Sequence, residues 1–221
     1  MTAEEEKRKL RGICIMSQKA KRILMAFFGV IVTGFCVGTF QKANLGTDPF
    51  TCFVTGIGNI FGSTYSTFYV IVTGVLLLGV LLLERHYIGL ATVINLFGTG
   101  ISADLMRNLW DMLIPDPGLA MRVVLMLLGV FGSCFSASVY FTADLGVSAY
   151  DAVSLIAANK YKLMAFRVCR VLSDLICVTV GFVFHATVGV GTVITALFMG
   201  PVIQWFNTHV SEPFLYGKEG R

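Results

Sequence analysis

Charge is scarce in this chain. Only 14% of its 221 residues are Asp, Glu, Lys or Arg, whereas soluble domains carry about 25%. Polar stretches are all short, which excludes an extramembrane domain of useful size. Histidine is rarer still, with His86, His185 and His209 alone, and none forms His-x-x-x-His or His-Glu-x-x-His. That removes the usual helical metal sites. Gly-x-Ser-x-Gly, the P-loop and the dinucleotide fingerprint are all missing, so neither an enzyme nor a cofactor is expected. The cysteines, Cys14, Cys36, Cys52, Cys134, Cys169 and Cys177, include no Cys-x-x-Cys pair and mostly interrupt apolar runs. They read as small packing residues.

What is present is hydrophobic. The apolar share is 56% and the mean hydropathy is +0.78. Such a chain belongs in a bilayer, and its length supplies roughly seven or eight helical spans. The expected fold is all-α: a polytopic transmembrane helix bundle of about eight helices, two of them short. Lys7, Arg8, Lys9, Arg11, Lys19, Lys21 and Arg22 precede the first apolar run. Beside a span, a basic run orients the chain and meets lipid headgroups rather than nucleic acid. It predicts a cytoplasmic N-terminus and a multi-pass protein of the bacterial plasma membrane. The run 23–40 is too long for a signal-peptide core and reads as a retained span.

The chain nearly repeats itself at an offset of 100 residues, without a gap. Leu45-Gly46 returns as Leu145-Gly146, and Gly89-Leu90-Ala91-Thr92-Val93-Ile94 returns as Gly189-Val190-Gly191-Thr192-Val193-Ile194. Arg22, Gly29, Val30, Phe35, Ala43, Asn59 and Gly100 also have identical counterparts one hundred residues on. Two related halves predict a duplicated bundle with any site at the seam between them. The expected organisation is a basic segment over 1–22, a first transmembrane repeat over 23–113, a linker over 114–118, a second repeat over 119–210 and a polar tail over 211–221. The linker Ile114-Pro115-Asp116-Pro117-Gly118 is a break by composition.

Within each half, spans are expected near 23–41, 67–83 and 88–112, with counterparts over 166–184 and 188–208. Gly34-x-x-x-Gly38 on the first span is a small-residue packing motif. A short helix follows each Leu-Gly turn. In the first, Gly46 turns, Asp48 caps and Pro49 takes the first helical position. In the second, Gly146 turns, Ser148 caps and Asp151 sits at the third position. At roughly 16–23 Å these helices are short for a bilayer of about 30 Å. Positive charge tests whether they cross. With four crossings per half, the N-terminal side would hold Arg107, Arg122, Lys160, Lys162, Arg167, Lys218 and Arg221, leaving Lys42 and Arg85 opposite. That balance predicts parallel repeats, with the linker on the N-terminal side.

Candidate solute-pathway residues lie at the two turns: Asn44, Gly46 and Asp48 in the first half, Asp144, Gly146, Ser148 and Asp151 in the second. Helix starts inside a membrane present unpaired N–H groups to polar or anionic solutes, or simply receive caps at the surface. Asp104 is a further candidate on the fourth span, where a carboxylate is costly. Arg170 and Asp174 lie one helical turn apart, either as a self-neutralising pair or as part of a proton or solute path, with Asp151 a second partner. Thr67, Val70 and Gly74 occupy the corresponding first-half positions, so this cluster breaks the internal symmetry.

Ala43-Asn44-Leu45-Gly46-Thr47-Asp48-Pro49-Phe50 and Gly89-Leu90-Ala91-Thr92-Val93-Ile94-Asn95 resemble the YczE/YitT-like bacterial integral membrane proteins. There an LGxxPW-like turn precedes the second helix and a GxGT motif opens the fourth. This chain has Phe50 in place of tryptophan and Ala91 in place of the second glycine, which Gly191 restores. The resemblance implies a multi-pass plasma-membrane protein and carries over no catalytic residues. Two functions are expected. One is a transporter-like protein for a small polar or anionic solute. The alternative is a non-transporting scaffold or regulator that binds a protein partner, or a second copy, through its basic face.

Overall fold

The computed structural model describes residues 3–164 and 166–216, and among these there is no strand. The helices are α1 (Ala3–Ala43), α2 (Pro49–Phe61), α3 (Tyr65–Leu83), α4 (Leu90–Leu113), α5 (Leu119–Ala143), α6 (Ala149–Leu155), α7 (Phe166–Val183), α8 (Val190–Phe206) and α9 (Glu212–Tyr216). A π-helical turn extends α6 through Lys160, and another joins α8 to α9. The all-α expectation holds, and the linker falls between α4 and α5. The tail residues Lys218 and Arg221 lie outside the described residues.

Four helical stretches are long and apolar enough to cross a membrane: Gln18–Ala43, Tyr65–Leu83, Leu119–Ala143 and Val190–Leu215. Their outward faces are bare hydrocarbon. Ile71, Val75, Leu78 and Leu82 form one exposed stripe on α3, with Leu82 86% exposed. Apolar surface of that extent needs lipid to cover it. The chain is therefore built as a membrane protein.

At the centre, α1 packs against α5 on one side and α4 on the other. Small residues permit this. A Cβ at Gly34 would meet the Thr99 carbonyl oxygen at 2.6 Å, and one at Gly29 would meet the Ser136 carbonyl oxygen at 3.0 Å. The Gly34/Gly38 motif is thus the α1–α4 seam, where backbones approach closely enough for extensive dispersion contact. α8 packs on α5, α3 on α4, and α2 bridges α3 and α7.

Helix directions follow from which residues meet. Along α1, Val30 meets Gly98, Gly34 meets Ser102, and Lys42 meets Asp111 at 2.6 Å, so α4 runs parallel to α1. Phe40 meets Gly129, Thr33 meets Ser136 at 2.9 Å, and Arg22 meets Asp144 at 3.4 Å, so α5 runs back. Lys42 Nζ also donates to the Pro115 carbonyl at 2.8 Å. The linker therefore lies at the C-terminal end of α1, the far end, opposite the chain's start at the near end. The arrangement expected from charge counting has the linker at the other end.

The short helices explain the reversal. Cys52 lies by the Thr187 carbonyl near the start of α2, and Asn59 Nδ2 donates to the His185 carbonyl at 3.1 Å near its end. Both ends of α2 thus touch the α7–α8 connection at the far end. Likewise the Val147 N–H donates to the Tyr87 carbonyl at 3.1 Å, and Asn159 donates to the Tyr87 hydroxyl at 3.1 Å. Both ends of α6 stay with the α3–α4 connection at the near end, which also carries Arg85. Neither short helix traverses the bundle. The long helices α1, α3 and α4 run the length of the bundle before the linker and α5, α7 and α8 after it, and four helical stretches among them are long and apolar enough to span a membrane.

Candidate functional site

The two turns have matching backbones. Asn44 and Asp144 both have φ 51°, and Gly46 and Gly146 both have φ 108°, a conformation that glycine reaches at no steric cost. Each turn docks onto the start of a helix in the other half. The Leu45 carbonyl accepts from Gly191 N–H at 2.9 Å, at the start of α8, and the Leu145 carbonyl accepts from Ala91 N–H at 3.0 Å, at the start of α4. Thr92 and Thr192 accept from the Gly89 and Gly189 N–H groups through their hydroxyls, at 3.1 and 3.4 Å. These contacts satisfy helix-start donors that lipid could not. A Cβ at Gly189 or Gly89 would collide with the facing leucine carbonyl. The Leu-Gly and Gly-x-x-Thr motifs are therefore two halves of one contact, made twice.

Side chains at the turns diverge. Asn44 Oδ1 accepts from the Thr187 hydroxyl at 3.0 Å. Asp144 is 82% exposed and pairs with Arg22 at the near-end surface, away from any interior path. Asp48 Oδ2 caps α2 by accepting from Thr51 N–H at 3.0 Å, while its Oδ1 is buried without a partner. Ser148 caps α6, accepting from Asp151 N–H at 3.1 Å, and donates to Asp151 Oδ2 at 2.7 Å. Asp104 accepts from Ser66 N–H at 3.3 Å and so serves the first turn of α3.

Asp151, Arg170 and Asp174 do come together. The Arg170 guanidinium pairs with Asp151 and, at 3.4 Å, with Asp174. The two carboxylate side chains are only 12% and 13% exposed. Tyr150 donates to Asp174 at 2.5 Å, and Arg170 lies 4.4 Å above the Tyr150 ring. One cation between two buried carboxylates leaves the cluster with a formal charge of −1 when all three groups are ionised, an expensive arrangement in lipid.

An aromatic column leads away from this cluster. Tyr150 stacks on Phe50 at 4.8 Å, Phe50 meets Tyr69 edge-on at 5.9 Å, and Tyr69 touches Tyr65 at 5.6 Å. Tyr69 donates to Asn95 at 2.7 Å, which tethers the column to α4. Phe50 and Tyr150 occupy equivalent places in the two halves, so the column crosses the seam. Tyr65 ends it at a cavity of about 260 Å³ at the far end, also lined by Gln41, Thr55, Asn59, Arg107 and His185. The Gln41 amide and the Thr55 hydroxyl are buried there without partners. Each such group ordinarily costs about 1–3 kcal/mol. Gln41 and Thr55 carried no sequence signal, and Arg107 entered the sequence reading only as a cation in the charge count. Phe50 was visible only as a motif position. Among the described residues no cluster of His, Cys, Asp and Glu is arranged to hold a metal.

A family model for a family of unknown function, DUF6198, matches residues 20–208. The chain belongs to that family. It is 26% identical over 188 residues to an uncharacterised protein of Haemophilus influenzae, covering 84% of this chain and 83% of that one. It is also 22% identical over 187 residues to the uncharacterised protein YyaS of Bacillus subtilis, covering 85% and 92%. No solved structure matches the chain.

Proposed function

We propose that this protein is a transporter-like membrane protein for a small polar or anionic solute, built from a duplicated unit whose copies are inverted. One observation carries the reading: short, non-traversing helices in the two halves meet at Phe50 and Tyr150 beside a buried Arg170–Asp151–Asp174 cluster. Inverted halves, helices that stop short and a charged site at their seam recur in secondary transporters, where one half rocks against the other.

Charge supports an orientation. The near end carries Lys19, Lys21, Arg22, Arg85, Lys160 and Lys162, and the far end carries Lys42, Arg107 and Arg122. Both ends hold ion-paired cations, Lys42 with Asp111 at the far end and Arg22 and Lys160 with Asp144 and Glu84 at the near end, so the number of cations decides. The positive-inside rule then puts the near end, and the N-terminus, in the cytoplasm. The bacterial plasma membrane and the kinship to YczE/YitT-like proteins belong to the same reading, which includes no enzymatic step.

The test is uptake into liposomes carrying the purified protein, with a panel of small carboxylates, amino acids and phosphate. At least one solute should enter, and Arg170→Ala should abolish entry while still inserting. Absence of flux for every solute would favour the scaffold acting through the basic face. Lys19→Cys and Asp116→Cys should be labelled from opposite sides of the membrane.

A further inference from the structure

We infer that Asp174 binds and releases one proton, and that this proton sets how firmly Tyr150 is held at the seam; the inference rests on the transport reading and names its coupling ion. Arg170 carries one positive charge and faces two carboxylates, so the ionised cluster is left at −1. Asp48, the cap of α2, adds a like charge within electrostatic range of Asp174. Asp174 lies midway along α7, and Leu172, Leu175 and Ile176 beside it are exposed apolar side chains that lipid covers. A net charge is expensive there, and uptake of a proton removes it. The first half manages without these charges. Thr51, Val70 and Gly74 stand where the second half has Asp151, Arg170 and Asp174, and α2 still packs on α3.

Of the two carboxylates, Asp151 is the better compensated. Its Oδ1 pairs with Arg170 and its Oδ2 accepts from the Ser148 hydroxyl at 2.7 Å. Asp174 uses one oxygen alone. The Tyr150 hydroxyl at 2.5 Å and Arg170 Nε at 3.4 Å both meet its Oδ1, and among the described residues nothing donates to its Oδ2. The proton therefore belongs on Oδ2. The side chain is 13% exposed, so it is not sealed off. Other titratable groups on the packed elements are few. α6 adds Lys160, which pairs with Glu84 at 3.8 Å. α2 adds Cys52, whose thiol meets the Thr47 and Thr192 hydroxyls, and α8 adds none. On α7 itself, the Cys177 thiol lies one turn beyond Asp174.

Proton uptake changes the bonding. With Oδ2 protonated, Oδ1 is a neutral carbonyl. The Tyr150 bond then loses its charge assistance, about half its strength, and Arg170 is left to Asp151. Tyr150 is the ring that stacks on Phe50 across the seam. A proton taken from water on one side and released to the other thus loosens and restores a contact between the halves. That ties its gradient to their rocking.

The test is infrared spectroscopy of the purified full chain in lipid nanodiscs, read at the C=O stretch of protonated carboxyls. As the pH falls from about 8 to about 5.5, above the range in which exposed aspartates titrate, wild type should gain one such band. Asp174→Asn should lack it, Asp174→Glu should move it, and Asp151→Glu should leave it in place. Tyr150→Phe removes the donor that favours the ionised form, so it should raise the proton affinity about tenfold or more. The variant keeps its ring against Phe50, so a purely structural role for Tyr150 predicts no such shift. Thermal melting checks that every variant is folded. No band in folded wild type, a band that survives Asp174→Asn, or one that moves with Asp151→Glu overturns the inference. Liposome flux separates it from the reading it rests on. The band without flux of any solute upholds the proton site and sinks the transport reading. Flux without the band, and indifferent to a pH gradient, does the reverse.

Discussion

The turns over 44–48 and 144–148 share a backbone and part company in their side chains. Both place a non-glycine residue at φ 51° and a glycine at φ 108°, and both dock a leucine carbonyl on the opposite half. Yet Asn44 faces Thr187 beside the cavity, whereas Asp144 reaches out to Arg22. Asp48 leaves one buried oxygen unpartnered, while Ser148 donates a hydrogen bond to Asp151, which pairs with Arg170. The shared part is architecture, because it satisfies backbone groups that lipid cannot. The divergent part is where the proposed solute path has room to differ between its two ends.

The largest effect should come from the most asymmetric feature. Arg170→Ala strips the cation from two buried carboxylates, and breaking a buried pair costs about 3–5 kcal/mol. Thermal unfolding in detergent should show it, and Asp174→Asn added to Arg170→Ala should restore part of the loss by removing one orphaned charge. Unchanged melting in Arg170→Ala would mean that the cluster is hydrated and neutral in energy, and the contrast between the turns would lose its buried partner.

The shared part predicts equality instead. Gly89→Ala and Gly189→Ala each drive a methyl into a leucine carbonyl across the seam, and overpacking of this kind costs about 1–3 kcal/mol. Their melting temperatures should fall by similar amounts. A large loss in one and none in the other would show that only one of the two docked turns is needed, and the matching backbones would then be coincidental.

Local chemistry was legible and long-range direction was not. Asp48 and Ser148 cap the helices that their spacing announced, Pro49 opens α2, and the Pro115–Pro117 linker falls between helices. The Gly89–Thr92 and Gly189–Thr192 motifs were visible, but their partners lie in the opposite half, beyond any local signal. Counting cations one by one set Arg107 and Arg122 against the true direction of α4. Such a count depends on whether the two short helices cross, which their contacts with a single connection each decide. The α2 sequence specifies about 20 Å of helix, but not that both of its ends touch one connection. The cluster of Arg170 and Asp174 was readable because the residues lie one turn apart. Its reach to Tyr150 and Phe50 required the fold.

The smallest effect belongs to the turn residue that points away. Asp144 meets Arg22 at 3.4 Å with its side chain 82% exposed, and exposed ion pairs contribute about 0–1 kcal/mol. Asp144→Asn keeps a residue that tolerates positive φ, so only the charge is lost. Its melting should stay within about 0.5 kcal/mol of wild type, and flux should be unaltered. Ser148→Ala, four residues on, should cost about 1 kcal/mol through its lost cap, and should also disturb the Asp151–Arg170 pair. A destabilisation from Asp144→Asn as large as that from Ser148→Ala would place the near-end surface pair inside the machinery. The difference between the two turns would then no longer mark the proposed solute path.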